Sequence, residues 1–189
     1  MHNTNFTRAY LNKVNLVNVN LLFATLSSTS FYLAKNIPEW IKIGMDKDSI
    51  YTQKRLVDSI RNGFNNLSSS ANLSHANLSH ANLSFANLCR ANLSCTNLAD
   101  TKLNNTNLDG AVLEKTNLTN ANLCQANLKQ ANFSYAKLID TNLSYANLDQ
   151  ASLRYAYLKN TNFTGVIRLP PWIIKGMDKK SNIFTKTVG

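Results

Sequence analysis

The chain has 189 residues, of which 44% are hydrophobic and 16% charged, with six glycines and three prolines. This composition fits one or two small folded domains and excludes a loose linker protein rich in glycine and proline. The formal net charge is +10, but residues 71–165 carry seven basic and five acidic side chains, so the positive charge lies mainly in the two flanks.

The N-terminal segment, residues 1–33, carries a large hydrophobic side chain at every fifth position. These side chains belong to Phe6, Leu11, Leu16, Leu21, Leu26 and Phe31. The uncharged run 14–34 also resembles a signal peptide or a membrane segment. Asn15, Asn18 and Asn20 would be costly in a bilayer, however. We therefore interpret residues 1–33 as degenerate five-residue repeats, the end of an upstream copy, and expect no membrane segment.

A connector at residues 34–70 follows, and its pattern predicts a short amphipathic helix over 50–64. Asp48 or Ser49 can cap the start of this helix, and Gly63 stands where helices stop. Its apolar face comprises Leu56, Val57, Ile60 and Phe64. Because the end of a solenoid exposes strand edges and a hydrophobic cross-section, we expect this helix to cap the repeats that follow.

Residues 71–165 contain 19 five-residue repeats without a register slip, beginning Ala-Asn-Leu-Ser-His. Leu or Phe occupies the third position of every repeat, and Ala or Thr the first. An α-helix would rotate successive third positions by about 140°, and a flat strand would send them to opposite faces. The chain must therefore turn a corner once per repeat, with the first and third residues pointing inward.

The predicted core consists of the third residue of each repeat. These residues are Leu73, Leu78, Leu83, Leu88, Leu93, Leu98, Leu103, Leu108, Leu113, Leu118, Leu123, Leu128, Phe133, Leu138, Leu143, Leu148, Leu153, Leu158 and Phe163. The pattern resembles the pentapeptide-repeat proteins, whose consensus is A(D/N)LXX, over the whole of residues 71–165. The resemblance implies an all-β solenoid, a right-handed quadrilateral β-helix with four pentapeptides per coil. Nineteen repeats would make almost five coils, about 20–25 Å long.

The C-terminal residues 166–189 begin a second connector. The run from Trp172 to Lys179 matches the run from Trp40 to Lys47, and at the same offset Phe163 corresponds to Phe31. We infer that the chain holds about 1.4 copies of a larger unit, in which pentapeptides are followed by a connector. Because the chain stops soon after this match, we expect the second connector to be truncated and partly disordered.

Few reactive side chains are brought together by the stacking of four pentapeptides per coil that the resemblance implies. His75 would lie above Cys95, but two ligands make a weak metal site. His80 would lie beside Asp100, without a nucleophile or oxyanion donors nearby. The three cysteines fall at outward positions without metal-type spacing, which predicts free thiols in a reducing, cytoplasmic compartment. We predict no catalytic residue, no metal and no cofactor.

Aromatic residues concentrate near the C-terminal coils. The candidate interaction surface comprises Tyr135, Tyr145, Tyr155, Tyr157 and Trp172. Tyr is enriched at protein interfaces, although tyrosines stacked along a ladder would also stabilise the repeats without any partner. Both interpretations stay open from the sequence.

These features favour a non-enzymatic scaffold or protein-binding module, whose partner is another protein or a second copy held through the C-terminal coils. The resemblance implies an alternative, because some members of that family mimic DNA and act on type II topoisomerases. That role calls for an acidic surface, which this chain lacks. Direct nucleic-acid binding is disfavoured because Lys and Arg are dispersed, and an enzyme is disfavoured because a Leu-filled interior leaves no cleft.

Leu118 and Asn120 provide a matched test of the inward assignment. Leu118→Asp should destabilise the protein by about 3 kcal/mol or more, because it removes a core side chain and buries a charge. Asn120→Asp should cost far less, because position 120 points outward. Equal unfolding temperatures for the two variants, measured by circular dichroism, would show the assignment to be wrong.

Overall fold

The computed structural model describes residues 6–16, 21, 26, 28–35, 37, 41–42, 50–51, 60, 71–174 and 183–184. Its elements, in chain order, are strands β1 (Thr29–Ser30), β2 (Ile50–Tyr51) and β3 (Thr161–Asn162), helix α1 (Pro171–Ile174) and strand β4 (Ile183–Phe184). No helix in this part of the chain is long and apolar enough to cross a bilayer.

The repeats of residues 71–165 form a tower of stacked coils. The second residue of each repeat makes a parallel bridge to its counterpart four repeats later, as Asn72 does with Asn92. The N–H of Leu73 donates to the Asn92 carbonyl at 2.8 Å, and the N–H of Asn92 donates to the Ala71 carbonyl at 2.9 Å. Four pentapeptides therefore make one coil, and single-residue bridges rather than long strands join the coils.

The first and third residues of each repeat fill the interior of the tower. All 19 Leu and Phe side chains at the third position are 3% exposed or less. The Ala or Thr at the first position is buried in every repeat from 71 to 165 except at Ala151, in the last coil. The remaining three positions of a repeat mostly face outward, and the fifth is the most exposed.

Buried threonines add hydrogen bonds between coils. The hydroxyl of Thr96 donates to the Leu73 carbonyl, and that of Thr116 to the Leu93 carbonyl, both at 2.8 Å. Each bond reaches back 23 residues into the preceding coil. A buried hydroxyl without a partner would be costly, so Thr is accepted inside the tower because the carbonyl below it satisfies the hydroxyl.

Every fifth residue of the tower turns the chain with a positive φ. The 19 positions from 75 to 165 have φ between +54° and +65°, and Gly110 and Gly165 are the two glycines among them. The turn is closed by the N–H of Ala76, which donates to the Leu73 carbonyl at 3.1 Å. Other residues adopt this conformation at a cost of roughly 1–2 kcal/mol each. Hydrogen bonds to the next coil, such as His75 N–H to Ser94 carbonyl at 3.0 Å, hold the turns in place.

The described residues between 6 and 35 make the same kind of contacts as the tower. Tyr10 bridges Ser30 in parallel, at the spacing of one coil. The Thr29 hydroxyl donates to the Phe6 carbonyl at 2.6 Å, as the tower threonines do to the coil before them. Positive φ recurs at Arg8, Lys13, Ser28 and Leu33. The described parts of the N-terminal pentapeptides are thus coiled like the central ones, although their sequence is degenerate.

Each connector returns a strand to the coil that precedes it. Strand β2 pairs antiparallel with β1, and β4 pairs antiparallel with β3. The paired residues Thr29 and Thr161 are separated by the same offset as Trp40 and Trp172 in the two matching connector sequences. An open coil edge exposes unpaired backbone groups, and the returning strand satisfies part of that edge in both copies.

The helix predicted over 50–64 is wrong at its start, because Ile50–Tyr51 form strand β2. A β-branched and an aromatic residue favour a strand, and the edge of β1 offers them backbone partners. Ile60 is helical and fully buried. The other predicted cap residues, Leu56, Val57 and Phe64, lie outside the described residues, as does Trp40.

Substitutions at Asn120, where φ is +59°, test the cost of the turn. Asn120→Val should be less stable than Asn120→Gly by about 1–3 kcal/mol, because a β-branched side chain clashes with the backbone at positive φ. Asn120→Ala should fall between them. All three variants lose the hydrogen bond from Asn120 to Asp100. Differences between their denaturant midpoints therefore report the free-energy cost of the positive-φ backbone conformation. A Val variant as stable as the Gly variant would contradict the assigned conformation.

Candidate interaction surface

Two tyrosines of the candidate surface stack on one another between adjacent coils. The ring centroids of Tyr135 and Tyr155 lie 5.0 Å apart, with 24° between the ring planes. The two side chains remain about half exposed, at 48% and 55%. Offset stacking at this distance is favourable for aromatic pairs. The stack therefore gives both rings a structural role, while about half of each residue stays exposed to solvent.

Arg154 extends this aromatic group with a positive charge. Its Cζ atom lies 4.9 Å from the Tyr155 ring centroid, and its Nη2 donates to the Tyr155 hydroxyl at 3.1 Å. This hydrogen bond raises the pKa of Arg154 further above its ordinary value. Arg154 is an exposed residue and has no carboxylate partner among the described residues. It is therefore a persistent cation held against an aromatic face.

An open groove lies beside Arg154 at the C-terminal end of the tower, and we call it the C-terminal groove. Its volume is about 470 Å³, within the range of ligand-binding clefts. Trp172 is 43% exposed. The groove is lined by Ala151, Ser152, Leu153, Arg154, Tyr155, Pro170 and Trp172. The C-terminal groove thus lies between the last pentapeptide on this side of the tower and the start of the second connector.

The groove exists because helix α1 takes the place of another pentapeptide. Ile173 stands one coil after Leu153, where the next core residue of this side would fall, and it is fully buried. Its N–H donates to the Pro170 carbonyl within the helical turn, at 3.0 Å. Pro170 and Pro171 have no N–H to offer to the coil below. The chain therefore closes the core with Ile173, and in the described part of the chain the backbone edge of residues 151–155 has no parallel partner above it.

Two further tyrosines of the candidate surface lie elsewhere on the tower. A Cβ atom added to Gly165 would lie 2.5 Å from Cδ1 of Tyr145, so the Tyr145 ring packs directly over the Gly165 backbone. Tyr157 bridges Lys137 and is 59% exposed on another side of the coil. The structure therefore brings together Tyr155 and Trp172 in the groove, with Tyr135 stacked behind, but places Tyr145 and Tyr157 apart from them.

The reactive pairs considered from sequence lie on the outer surface. His80 Nδ1 is 3.9 Å from Asp100 Oδ2, and both side chains are well exposed. Asp100 also accepts a hydrogen bond from Asn120 at 3.1 Å. The three cysteines are free thiols. In the described part of the chain, no three His, Cys, Asp or Glu residues cluster as a metal would require.

The net positive charge lies in the last coil, residues 151–170, which the first five residues of the second connector complete through the bridge of Ile167 to Asn147. Residues 71–150 contain five basic and five acidic side chains, so their charges balance. Residues 151–170 contain three basic side chains, Arg154, Lys159 and Arg168, and no acidic ones. The sequence contains this charge asymmetry, but only the structure shows that residues 151–170 form one coil.

Comparison with solved structures places pentapeptide-repeat proteins beside this chain, whereas no curated protein matches it. Rfr23, from the cyanobacterium Cyanothece 51142, is 35% identical over 51% of this chain and 63% of that protein, with a TM-score of 0.46. A pentapeptide repeat protein of the Arabidopsis thaliana thylakoid lumen is 23% identical over 75% and 92% of the two chains, with a TM-score of 0.39. QnrB1, a plasmid-mediated fluoroquinolone resistance protein, is 14% identical over 52% and 65%, with a TM-score of 0.24.

The family model for pentapeptide repeats matches the chain in eight copies. The matched segments are residues 1–35, 71–110, 91–130, 106–144 and 131–167. They include both the N-terminal coil and the tower, and together they span well over half of the sequence. The chain belongs to the pentapeptide-repeat family.

Proposed function

We propose that this protein is a non-enzymatic binding module that holds another protein at its C-terminal groove. The observation that carries the proposal is the joining of Tyr155, Trp172 and the exposed cation of Arg154 in one open groove. Trp, Tyr and Arg are the residue types that dominate the binding energy of protein interfaces. The tower supplies a rigid support, because each coil is bonded through its backbone to the coils beside it.

The proposal also covers features of the chain beyond the groove. We assign residues 1–33, 34–70, 71–165 and 166–189 to N-terminal repeats, first connector, tower and second connector. On the family resemblance, we give the coil a right hand, and we place a helical cap around Ile60. Free thiols at Cys89, Cys95 and Cys124 suit a reducing, cytoplasmic compartment.

Action on a topoisomerase by imitation of DNA is disfavoured. Duplex DNA presents dense negative charge along its whole length. The tower has balanced charges over residues 71–150 and a positive last coil. A surface of this kind does not resemble a nucleic-acid duplex, so the partner we expect is a protein that meets the groove directly.

A photo-crosslinking amino acid placed at position 155 or 85 tests the proposed function. Tyr155 and Phe85 occupy the same position of their repeats, both with positive φ and both exposed, but Phe85 lies far from the groove. In living cells, crosslinking at 155 should give a discrete adduct with another protein, and crosslinking at 85 should not. Mass spectrometry of the adducts would identify the partner.

The adduct at 155 should disappear when Trp172→Ala removes the indole from the groove. An adduct that forms equally at both positions, or that persists in Trp172→Ala, would contradict the proposal. An adduct between two copies of this chain would instead identify a homodimer formed through the C-terminal coils. Unchanged thermal unfolding of Trp172→Ala would show that lost crosslinking does not reflect lost folding.

A further inference from the structure

The backbone edge of the C-terminal groove carries hydrogen-bonding groups that every lower coil uses. One coil below, Phe133 N–H donates to the Ser152 carbonyl at 2.7 Å, and Tyr135 N–H donates to the Arg154 carbonyl at 3.0 Å. The equivalent donors of the last coil, the N–H groups of Leu153 and Tyr155, have no acceptor among the described residues. The edge thus ends with two donors at the spacing that a parallel strand would satisfy.

From this edge we propose that the C-terminal groove binds an extended, acidic peptide segment of a partner protein by strand addition. The inference rests on the proposed protein-binding function and names the partner class. Strand addition is an established mode of peptide recognition, in which backbone bonds supply affinity and side-chain contacts supply specificity. Carbonyl groups of the peptide would accept from Leu153 and Tyr155. A peptide N–H would donate to the Ala151 carbonyl, as Asn92 N–H does to Ala71.

The charge of the last coil selects an acidic segment. Arg154 lines the groove with an exposed guanidinium, and the same coil adds Lys159 and Arg168 without any acidic residue. The lower coils have balanced charges, so the attraction is local to this end. A peptide carboxylate beside Arg154 would gain a charge-assisted hydrogen bond, and an apolar side chain would pack against the Trp172 indole.

A single-stranded nucleic acid fits these observations less well. It would use the aromatic rings and the positive charge, but it would leave the two backbone donors of the edge without a regular ladder. The positively charged surface is also short, because the same side of the tower bears Glu114 two coils below Arg154. Proteins that bind single-stranded nucleic acid need a positive groove that follows several nucleotides. The tower does not provide one, because its positive and negative charges balance over residues 71–150.

Peptide binding to the full-length protein can be measured by fluorescence anisotropy. The probe is a labelled peptide of about eight residues that alternates glutamate and valine, an acidic sequence suited to an extended strand. We expect it to bind, and we expect binding to weaken by about tenfold or more for a peptide with glutamine in place of glutamate. A peptide with alternate backbone nitrogens methylated should also lose binding, because one of its edges can no longer pair.

Charge reversal at two arginines provides the matched protein variants. Arg154→Glu should weaken binding of the acidic peptide by about tenfold or more, whereas Arg90→Glu, at an exposed position on another side of the tower, should change it less than about twofold. Trp172→Ala should weaken binding as Arg154→Glu does. Circular dichroism of each variant would confirm that the coil is intact.

Several results would overturn the inference. Equal binding of the glutamine peptide removes the charge argument, and equal binding of the methylated peptide removes strand addition. Preferential binding of a single-stranded oligonucleotide of about eight nucleotides would assign the groove to nucleic acid. Absence of peptide binding, together with a specific crosslink at position 155, would overturn strand addition and leave the protein-binding function standing. Absence of both would overturn both.

Discussion

A left-handed backbone conformation at every fifth residue is the constraint on which the tower depends. Seventeen of its 19 turns adopt it without glycine, at a cost of roughly 1–2 kcal/mol for each L residue. The compensation comes from neighbouring coils, through bonds such as Leu78 N–H to Asn97 carbonyl at 2.8 Å and His80 N–H to Ala99 carbonyl at 2.9 Å. A single coil lacks these bonds, so stability belongs to the stack, as in other solenoids.

The same stacking determines where the molecule can interact with a partner. Asparagines at the second position form ladders along the tower, in which Asn97 donates to Asn77 at 3.3 Å and Asn117 donates to Asn97 at 3.1 Å. The side-chain amides of these asparagines are therefore engaged in hydrogen bonds within the tower. In the last coil, Ser152, Tyr157 and Ile167 replace Asn at three of the four sides. The repeat thus departs most from its own pattern at the end where the groove lies.

The sequence predicted the inside of this fold better than its edges. The five-residue period places Leu118 and its equivalents inside, as the structure does. The positive φ at the fifth position was not anticipated, because His75, Phe85 and Arg90 carry none of the signal that glycine gives. The conformational preferences of these residues alone do not reveal such turns, because hydrogen bonds between distant residues impose them.

The connectors were harder to predict than the repeats. Strand β2 is very short, and the sequence predicts the start of a helix there, because the antiparallel partner β1 lies far back along the chain, before the connector begins. The groove likewise depends on a break in the repeat at Pro170 and Pro171, whose consequence is spatial. From sequence, Trp172 could be proposed as a contact residue, but not its position beside the edge donors of Leu153 and Tyr155.

The reach of the threonine hydroxyls has a consequence for how this protein can change in length. Thr96 and Thr116 each bond a carbonyl in the preceding coil, and the asparagine ladders join residues one coil apart. Losing or gaining four pentapeptides would remove or add one complete coil, and each later repeat would stay on the same side of the tower. Losing or gaining a single pentapeptide would give new neighbours only to the coil at the junction, but it would turn all later repeats by one side relative to the repeats before it. Only a change by whole coils therefore keeps each outer face of the tower aligned from one end to the other.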